Sequence, residues 1–478
     1  MNNKIYSVGI IGGGVSGVVV ALQLAELEID SILFEQKGSV VNGPPFCHLH
    51  AGGNLYPDIS DEQCRLLMKQ SIEMARLFPQ SIDERPTLIA VPKTEKYQVD
   101  DIEDRLDMLV DYYKQLIDKD AMNEVLSAPE NYYKVFYKEQ LDALAKQPTV
   151  THPETHDEWM LNAAKLIDYS LFKMPIVLVR EYGWNLFRLG AQAQLALEKT
   201  NKSTLKLNTK VDSIKDVRNK GLGYNWEIIA HNTTYKVKYL VNSSGFKTGE
   251  FDDSLDINTE RLIEFKAAYV SKWQPLPGLI PEMIFHGQRG TSHGMAQLTP
   301  YCCDYYQLHG MTKDITLFKN GLIKTDDNKA QPCFDEDISI KLKYGWDEDE
   351  VVTRTENSLN YLAQFVPSFK SATVGGPPLY GAQQVPGSDI SLRVGEVCFP
   401  TQYYARSEIV KASSALTVAN QIIDDIEKEK IATHIAKRSN SNSILNAISK
   451  EEIDKLATKF AQIRGYPKEL SCLMIKKE

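Results

Sequence analysis

The sequence predicts an α/β protein with a discontinuous Rossmann-like domain, a second mixed β-sheet domain and a helical insertion. Three observations support this prediction. An apolar strand at 6–11 is followed by the glycine cluster GGGVSG, a helix with apolar residues at helical spacing and a second strand at 31–34. Several segments between 166 and 320 have the composition of strands separated by turns. The stretch from Lys93 to Lys165 is charged, rich in tyrosine and mostly helical in pattern, as suits an inserted lobe.

The glycine cluster follows the pattern G-x-G-x-x-G at Gly12, Gly14 and Gly17. Gly12 permits a sharp exit from the strand, Gly14 lets the backbone approach a pyrophosphate, and Gly17 lets the helix pack closely on the sheet. The N-terminus of the helix offers N–H groups and partial positive charge to phosphates. Glu35, at the end of the second strand, can accept both hydroxyls of an adenosine ribose and would repel a 2′-phosphate.

This unit predicts a dinucleotide ligand, FAD or NAD. FAD is favoured because the motif lies within the first twenty residues and no second one follows it. The later stretch GQRGTSHG has a different glycine spacing and no preceding strand. The predicted cofactor contacts in this unit are Gly12, Gly14, Ser16, Gly17, Glu35 and Gln36.

Composition limits the partners and the compartment. The chain has 478 residues and a net charge of −9, which argues against a nucleic-acid partner because phosphate contacts need a basic face. The seven cysteines form no CxxC pair, and only Cys302 and Cys303 are adjacent, so reduced thiols are expected. The N-terminus lacks the layout of a signal peptide, and the apolar run 8–20 is too short to span a bilayer. We therefore expect a cytoplasmic protein, with a peripheral membrane contact left open.

The order of the motifs predicts how the chain divides. The FAD-binding domain is assigned to 1–92, 166–250 and 370–425, the second domain to 93–165 and 251–369, and a helical tail to 426–478. Asp61 to Phe78 is predicted to be an amphipathic helix with Ser60 as its N-cap.

Four further motifs carry a resemblance to a known family. They are CHLHAGGNLYP, REYGWNLFRLGAQAQLAL, LKLNTKVDSI and KYLVNSSGFKTGEF. With them the chain resembles the FAD-dependent oxidoreductases of the D-amino-acid oxidase superfamily, over about Lys4 to Ile423 and outside the Lys93–Lys165 lobe. The first motif is similar to the His-Ala-Gly or His-Gly-Gly loop of the branch that contains L-2-hydroxyglutarate and glycerol-3-phosphate dehydrogenases.

The resemblance implies further contacts with the cofactor. It places the loop with His50, Gly52 and Gly53 beside the isoalloxazine ring. It places the backbone of Val211 at the adenine, and the strand end with Asn242, Ser243 and Gly245 near the cofactor. The chain departs from the family at its C-terminal part, where FPTQYYARSEIVKASSAL replaces a glycine-rich turn. A helix from about Ser407 is expected to direct its N-terminus towards the flavin.

Two residues are the leading catalytic candidates. His50 would handle the proton on the substrate heteroatom, and the alternative is a structural histidine. Covalent attachment of the flavin to His50, His48 or Cys47 also stays open. Arg406 would anchor a substrate carboxylate through two hydrogen bonds, and the alternative is a surface salt bridge to Glu408 or another acid.

Other side chains are weaker candidates. Tyr301, Tyr305 and His309 are expected on the substrate sheet, where packing is the favoured explanation. Tyr403 and Tyr404 lie in the unusual C-terminal loop and can line the pocket. The motif HPETH at 152–156 is interpreted as a helix start and not as a metal site, and no metal pattern is found elsewhere.

Together these features predict a flavoenzyme. It would oxidise a small hydroxy or amino acid by hydride transfer to flavin N5 and pass the electrons to oxygen, a quinone or a carrier. Two alternatives stay open: a flavin monooxygenase reduced by NAD(P)H, and a flavin-binding module without turnover.

Overall fold

The computed structural model describes residues 4–49, 52–53, 59–326, 328–390, 392, 395–432, 435–436 and 442–475. The strands, in chain order, are β1 (Ile5–Ile11), β2 (Ser31–Phe34), β3 (Phe46–His48), β4 (Ile82–Asp83), β5 (Thr87–Ala90), β6 (Tyr133–Phe136), β7 (Ile176–Val179), β8 (Gly183–Asn185), β9 (Ser203–Lys206), β10 (Val211–Asp216), β11 (Trp226–Ala230), β12 (Thr233–Asn242), β13 (Arg261–Lys272), β14 (Glu282–Phe285), β15 (Ala296–Pro300), β16 (Tyr305–Gly310), β17 (Leu322–Lys324), β18 (Thr373–Pro386), β19 (Glu396–Thr401) and β20 (Tyr404–Glu408). The α-helices are α1 (Val15–Glu26), α2 (Asp61–Leu77), α3 (Asp100–Lys119), α4 (Lys138–Leu144), α5 (His156–Ala164), α6 (Leu186–Lys199), α7 (Thr248–Asp253), α8 (Glu336–Tyr344), α9 (Glu348–Leu362), α10 (Ala415–Lys428), α11 (Ser443–Asn446) and α12 (Lys450–Ile463).

The first sheet is built around β1. Its strands run in the order β10-β11-β12-β1-β2-β9, with β20 beside β12 and β19 beside β20. β1 pairs in parallel with β2 on one side and with β12 on the other. The predicted β1–α1–β2 unit is therefore present, and Val8 and Ile10 of β1 pack with α1, α6 and α10 in one core.

The second sheet has the order β17-β13-β16-β15-β14-β5-β7-β6, with β18 paired to β13. All its pairs are antiparallel except β14 with β5. Alternate residues of its strands, such as Leu298 and Leu308, share an apolar core with helices α5 and α9. The residues between them face the opposite side, where Ala268 and Val270 join the core of the first sheet. One face of this sheet is therefore turned towards the first sheet.

The inserted lobe and the first long helix follow the sequence prediction. Between Lys93 and Lys165 the chain forms α3, α4 and α5, and β6 ties this lobe to the second sheet by pairing with β7. Helix α2 begins at Asp61, where the side chain of Ser60 accepts a hydrogen bond from the Gln63 N–H at 3.4 Å.

Three strands depart from the predicted domain boundaries. The ranges 1–92, 166–250 and 370–425 assign β5, β7 and β18 to the FAD-binding domain, but all three pair within the second sheet. β5 and β7 are short strands whose residues are all buried. Such apolar runs look the same in either sheet, so their partners cannot be identified from pattern alone.

The prediction of a helix that begins at about Ser407 is wrong. Tyr404–Glu408 is strand β20, which pairs in parallel with β12, and α10 begins only at Ala415. All five residues of β20 are buried. A polar and charged strand at this depth does not show the alternation by which strands are usually identified, because its polar side chains pair with one another inside the protein.

The C-terminal tail is helical, as predicted. Helix α12 packs against α6, and the Asn185 amide donates to the backbone carbonyl of Leu470 at 2.9 Å. Across the part of the chain that the structure describes, no helix combines the length and the apolar composition needed to cross a bilayer.

Candidate functional site

The glycine turn between β1 and α1 is shaped by two close approaches and one open space. Gly12 has φ of 104°, and a Cβ there would lie 2.2 Å from the carbonyl oxygen of Ser243. A Cβ at Gly17 would lie 1.9 Å from the carbonyl oxygen of Gly12. A Cβ at Gly14 would have nothing within 4 Å. Packing therefore explains Gly12 and Gly17, whereas the space in front of Gly14 leaves room for a ligand.

The first turn of α1 presents polar groups to that space. Among the described residues no side chain caps this helix, and its first turn contains no acidic residue. The Ser243 hydroxyl is buried and has no hydrogen-bond partner in the described part of the chain. Ser16, in the first turn, hydrogen-bonds through its hydroxyl to the Ser407 hydroxyl. A helix N-terminus with a buried unpaired hydroxyl beside it fits a phosphate-bearing ligand such as FAD.

Glu35 is placed as the fingerprint predicts. It is buried at the end of β2, where Oε2 accepts from the Gly13 N–H at 2.9 Å and Oε1 from the Lys37 N–H at 2.8 Å. Burial raises the pKa of Glu35, and the hydrogen bonds from Lys37 and Gly13 oppose that rise. Each carboxylate oxygen keeps a second lone pair, which can accept a ribose hydroxyl. Gln36, the next residue, is exposed.

The other predicted contacts of the first domain lie around the ends of its strands. Val211 packs in one apolar cluster with Ile11 and Phe34, the last residues of β1 and β2. Gly245 has φ of 64° and open space around its Cβ position. The Asn242 amide is committed to the protein, because it donates to the backbone carbonyl of Thr248 at 2.9 Å and to the Tyr404 hydroxyl at 2.8 Å.

The loop predicted to pass beside the flavin is described only in part. His50 lies outside the described residues, as do the side chains of Cys47 and His48, so the catalytic role and the covalent attachment stay predictions. Gly52 has φ of 102°, and a Cβ there would lie 2.7 Å from the carbonyl oxygen of Cys64.

Gly53 in the same loop is tied to the motif REYGWN. Its N–H donates to Oε1 of the fully buried Glu181 at 2.5 Å. The Tyr132 hydroxyl of the inserted lobe donates to the same oxygen at 3.2 Å. Glu181 therefore connects the loop, the turn before α6 and the inserted lobe.

Arg406 lies in a buried cluster of charges. It pairs with Asp252, and its Nε lies 3.2 Å from Oε2 of Glu408. Arg261 also pairs with both acids, at 3.0 Å from Asp252 and 3.3 Å from Glu408. Burial lowers the pKa of Arg406, but the two carboxylates outweigh it and raise that pKa overall. This geometry favours the ion-pair alternative for Arg406, and Glu408 is one of its partners, as that alternative predicted. The ion pair lies inside the protein and not at its surface.

The second sheet carries a polar face, and this face is turned towards the first sheet. It consists of the residues that alternate with the apolar ones on β13 to β16 and directly after β14, namely Glu264, Lys266, Glu282, His286, Gln297, Thr299, Gln307 and His309. We call this set the polar face. The side chains bind one another: Thr299 donates to Glu282 at 3.0 Å, and Lys266 lies 2.7 Å from Glu264. Buried polar groups that converge in this way are what a binding site uses to orient its ligand.

The two histidines of the polar face are neutral at pH 7. Burial lowers the pKa of His309 to about 4, with Lys266 and Lys411 adding to the effect and Glu282 opposing it. Burial likewise lowers the pKa of His286 to about 4, with a smaller contribution from Arg105. A neutral imidazole can accept a hydrogen bond or a proton, and the lowered pKa makes each of these side chains a weaker base than a free histidine.

The segment 407–414 connects the glycine turn to the polar face. Ser407 hydrogen-bonds to Ser16 at the start of α1. Further along, Lys411 lies close enough to His309 to lower its pKa, and the Val410 carbonyl accepts from the Gln383 amide at 3.3 Å. The segment therefore contacts the start of α1 at one end and approaches the polar face at the other.

Sequence reasoning named only His309 among the polar-face residues. The signal was available, since EMIFH, AQLTP and YYQLHG alternate polar and apolar residues. Such alternation normally indicates a solvent-facing side, whereas here the polar side is mostly buried. Tyr301 is also buried, and its hydroxyl lies 3.3 Å from Gln307, so it borders the polar face.

The remaining candidate residues have contacts within the protein that give them a structural role. Tyr404 is fully buried and donates to Asp252 at 2.6 Å, while the carbonyl of Tyr403 accepts from the Trp226 ring at 2.8 Å. Tyr305 is half-buried and packs against the apolar core that contains residues of β1 and α1. The motif HPETH starts helix α5 with Thr155 as its cap, and the described residues contain no group of side chains that would hold a metal ion.

Comparisons with known proteins identify the fold. No family model matches the sequence, and no curated protein matches it. Among solved structures, glycine oxidase from Geobacillus kaustophilus is 13% identical, with a TM-score of 0.57 over 88% of this chain and 95% of that one. L-proline dehydrogenase from P. horikoshii is 12% identical, with a TM-score of 0.58 over 90% and 95%.

A third structure, L-α-glycerophosphate oxidase from Mycoplasma pneumoniae with FAD bound, is 13% identical, with a TM-score of 0.56 over 92% of this chain and 98% of that one. These likenesses extend over nearly the whole length of each protein. They show that the chain has the fold of these proteins, which confirms the fold predicted from the motifs.

Proposed function

We propose that the chain binds FAD and oxidises a small hydroxy or amino acid. When bound, FAD would supply a hydride acceptor, N5 of its ring system, and the final electron acceptor would be oxygen, a quinone or a carrier. The fold shared with glycine oxidase, L-proline dehydrogenase and glycerophosphate oxidase supports this chemistry.

The observation that carries the proposal is the open space before α1. Nothing in the described protein lies within 4 Å of a Cβ at Gly14, the N-terminus of α1 follows directly, and Ser243, whose buried hydroxyl has no partner among the described residues, packs beside Gly12 and Gly17 of the same turn. We assign the diphosphate of FAD to this space and the adenosine ribose to Glu35. Gly52, Gly53, Val211 and Gly245 would surround the rest of the cofactor.

We assign substrate binding to the polar face. The charges of Lys266 and Lys411 both act on His309, and these two side chains would hold an anionic group of the substrate. His309, which is neutral at pH 7, would take up the proton from the substrate hydroxyl or amine. We assign this role to its Nε2, because Nδ1 lies 3.3 Å from the Thr316 hydroxyl. His50 stays the second candidate for the same proton, and burial of the polar face would keep water away.

The cofactor can be tested with Gly14→Ala. Its φ of −69° suits any residue, and the added methyl would meet nothing in the protein. We therefore expect the apoprotein to melt at an unchanged temperature but to bind FAD at least about tenfold more weakly, since the methyl would occupy the place of the diphosphate. Isothermal titration of the apoprotein with FAD measures this. Unchanged affinity in the variant would refute the assignment.

The ribose assignment has a matched control within the same sheet. Glu35→Gln should weaken FAD binding by about tenfold, because the carboxylate is the acceptor for the ribose hydroxyls. Asp30 lies at the other end of the β1–β2 pair, where it accepts from the Ser7 hydroxyl at 2.7 Å. Asp30→Asn should leave FAD binding unchanged. Equal losses in both variants would indicate a general disturbance of the sheet.

The reaction can be tested by an anaerobic screen of 2-hydroxy acids, amino acids and amines, followed by flavin absorbance. At least one compound is expected to bleach the flavin, and His309→Gln should slow the bleaching about a hundredfold. Bleaching by NADPH alone would favour the monooxygenase alternative. A chain that binds FAD but is reduced by none of these compounds would favour the module without turnover.

A further inference from the structure

The Cys302 thiol joins the second sheet to the C-terminal tail. Cys302 and Cys303 lie in a single helical turn between β15 and β16, and this turn packs against the last turn of the tail, Lys468–Ser471. The Cys302 thiol donates to the backbone carbonyl of Leu473 at 2.8 Å. Cys302, Cys303 and Cys472 are all present as thiols, and Cys472 is exposed to solvent.

The same part of the tail is attached to buried charges. The N–H groups of Met474 and Ile475 donate to Oδ1 of Asp83, at 3.1 and 3.4 Å. Asp83 is 3.7 Å from the buried Arg85, which in turn lies 3.3 Å from Glu282 on the polar face. Two ion pairs, Asp83–Arg85 and Arg85–Glu282, therefore connect the end of the tail to the polar face, to which we assign the substrate.

We propose that Cys302 and Cys472 form an oxidisable pair, and that the disulfide between them fastens the tail to the second sheet. The proposal rests on the contact of the tail with Cys302 and is independent of the proposed function. The hydrogen bond with the Cys472 thiol is the largest contribution to the raised pKa of Cys302, followed by burial. Cys302 therefore keeps its proton, and the attacking thiolate comes from Cys472.

The chemistry needs a two-electron oxidant, for which we name hydrogen peroxide. The Cys472 thiolate attacks one peroxide oxygen, so that an S–O bond forms, the O–O bond breaks and hydroxide leaves. The sulfur of Cys302 then attacks the sulfenic acid, the S–S bond replaces the S–O bond, and the Cys302 proton leaves with hydroxide as water. Each thiol loses one electron, and peroxide is reduced to water and hydroxide.

Cys303 is the competing partner within the same turn. It is exposed, and its φ of 59° lies in the left-handed region. Burial is the main cause of its raised pKa, and Cys472 contributes as well. The Leu473 carbonyl contacts the sulfur of Cys302, so we assign the bond to Cys302.

The experiment uses the full-length protein, first reduced and then treated with hydrogen peroxide. Intact mass should fall by two hydrogen atoms, and peptide mapping should show a link between residues 302 and 472. Cys302→Ser and Cys472→Ser should each abolish the link, whereas Cys333→Ser, at an exposed cysteine elsewhere, should retain it. A bridge between Cys302 and Cys303, a link from Cys472 to Cys303, or no bridge at all would overturn the proposal.

A second measurement keeps the test independent of the variants. In the wild-type protein, oxidation should slow proteolytic cleavage within residues 442–475 by about tenfold, because the tail must detach before it is cut. Adding a thiol reductant should restore the original rate. Equal cleavage rates in the oxidised and reduced proteins would show that no disulfide holds the tail.

Discussion

The two large sheets use their faces differently. In the first sheet, β1 and β2 are largely buried among apolar residues, and the ligand features lie at the strand ends, in the turn at Gly12 and the carboxylate of Glu35. In the second sheet, one face is an apolar core and the other is the polar face. In the proposed function, the first sheet therefore binds the cofactor at an edge, and the second binds the substrate over a surface.

This difference shows which kind of site can be found from sequence. An edge site depends on short-range order, because a strand, a turn and a helix follow one another along the chain. A surface site depends on long-range order, because its residues come from strands that only the fold brings together. Between the sheets, Arg261, Arg406, Asp252 and Glu408 form a third kind of region, a buried cluster that joins the two.

The largest effect on stability is expected when the buried cluster between the two sheets is broken. Asp252→Ala would leave Arg261 and Arg406 with one carboxylate between them inside the protein. Removal of one partner from a buried ion pair typically lowers the free energy of unfolding by about 3–5 kcal/mol. Urea denaturation of the purified variant measures this loss.

The control for Asp252→Ala is Glu260→Ala, whose carboxylate pairs with the exposed Lys324 at 2.6 Å. An exposed pair contributes little, so the urea midpoint should hardly change. If both variants unfold at the same midpoint, the cluster does not hold the sheets together.

The next effect separates the two faces of the second sheet. Leu298 is fully buried on the apolar face, and Leu298→Ala should lower the free energy of unfolding by about 3 kcal/mol through cavity formation. Its neighbour Thr299 faces the other side, where it donates to Glu282. Thr299→Val should cost only about 1 kcal/mol, the value of one hydrogen bond. Losses of similar size in urea titrations would contradict the distinction between the faces.

Much of the fold could be predicted, because the signals were local. The spacing of Gly12 and Gly17, the alternation in β11 and the cap at Ser60 each lie within a few residues, and each element is present. Strand β20 could not be predicted in the same way. Its sequence, YARSE, is suited to burial only because Asp252 and Arg261 lie beside it, and both come from distant parts of the chain.

The candidate site was predictable to the same extent. The fingerprint has a fixed order along the sequence, so it predicts that Glu35 and the glycine turn lie together, and the Gly13 N–H donates to Glu35. Glu282 and Gln297 were not predicted, because a polar residue in an alternating strand normally faces solvent. Arg406 was chosen for its chemistry, but its role depends on charges that the sequence does not place next to it.

The pH dependence of stability should report the polar face. The pKa of His309 is lowered from 6.5 to about 4 in the folded protein, among Lys266, Lys411 and Glu282. As the pH falls from 6.5 to 4, only the unfolded chain takes up this proton, so the folded state loses stability across that window and no further below it. The slope is at most about 1.4 kcal/mol per pH unit for each such histidine.

Urea titrations between pH 7 and pH 5 test this slope. His286 contributes in the same direction, so His309→Gln should reduce the slope and not abolish it. A steeper slope in His309→Gln would show that His309 is protonated in the folded protein.

The smallest effect on stability, with a clear effect on activity, is expected at Lys266. Its partner Glu264 is also paired with Arg289, so Lys266→Met leaves that carboxylate with a cation. The free energy of unfolding should therefore change by less than about 1 kcal/mol. If Lys266 holds an anionic group of the substrate, flavin bleaching by the compound found in the screen should slow about tenfold or more.

Lys324→Met is the matched control for Lys266→Met, because Lys324 is exposed on the neighbouring strand β17. It should change neither stability nor bleaching. A residue that shapes the fold would lose stability and activity together, whereas one that binds substrate would lose activity alone. A fall of several kcal/mol in Lys266→Met would therefore make the polar face a structural layer, and the two sheets would no longer differ in how they carry function.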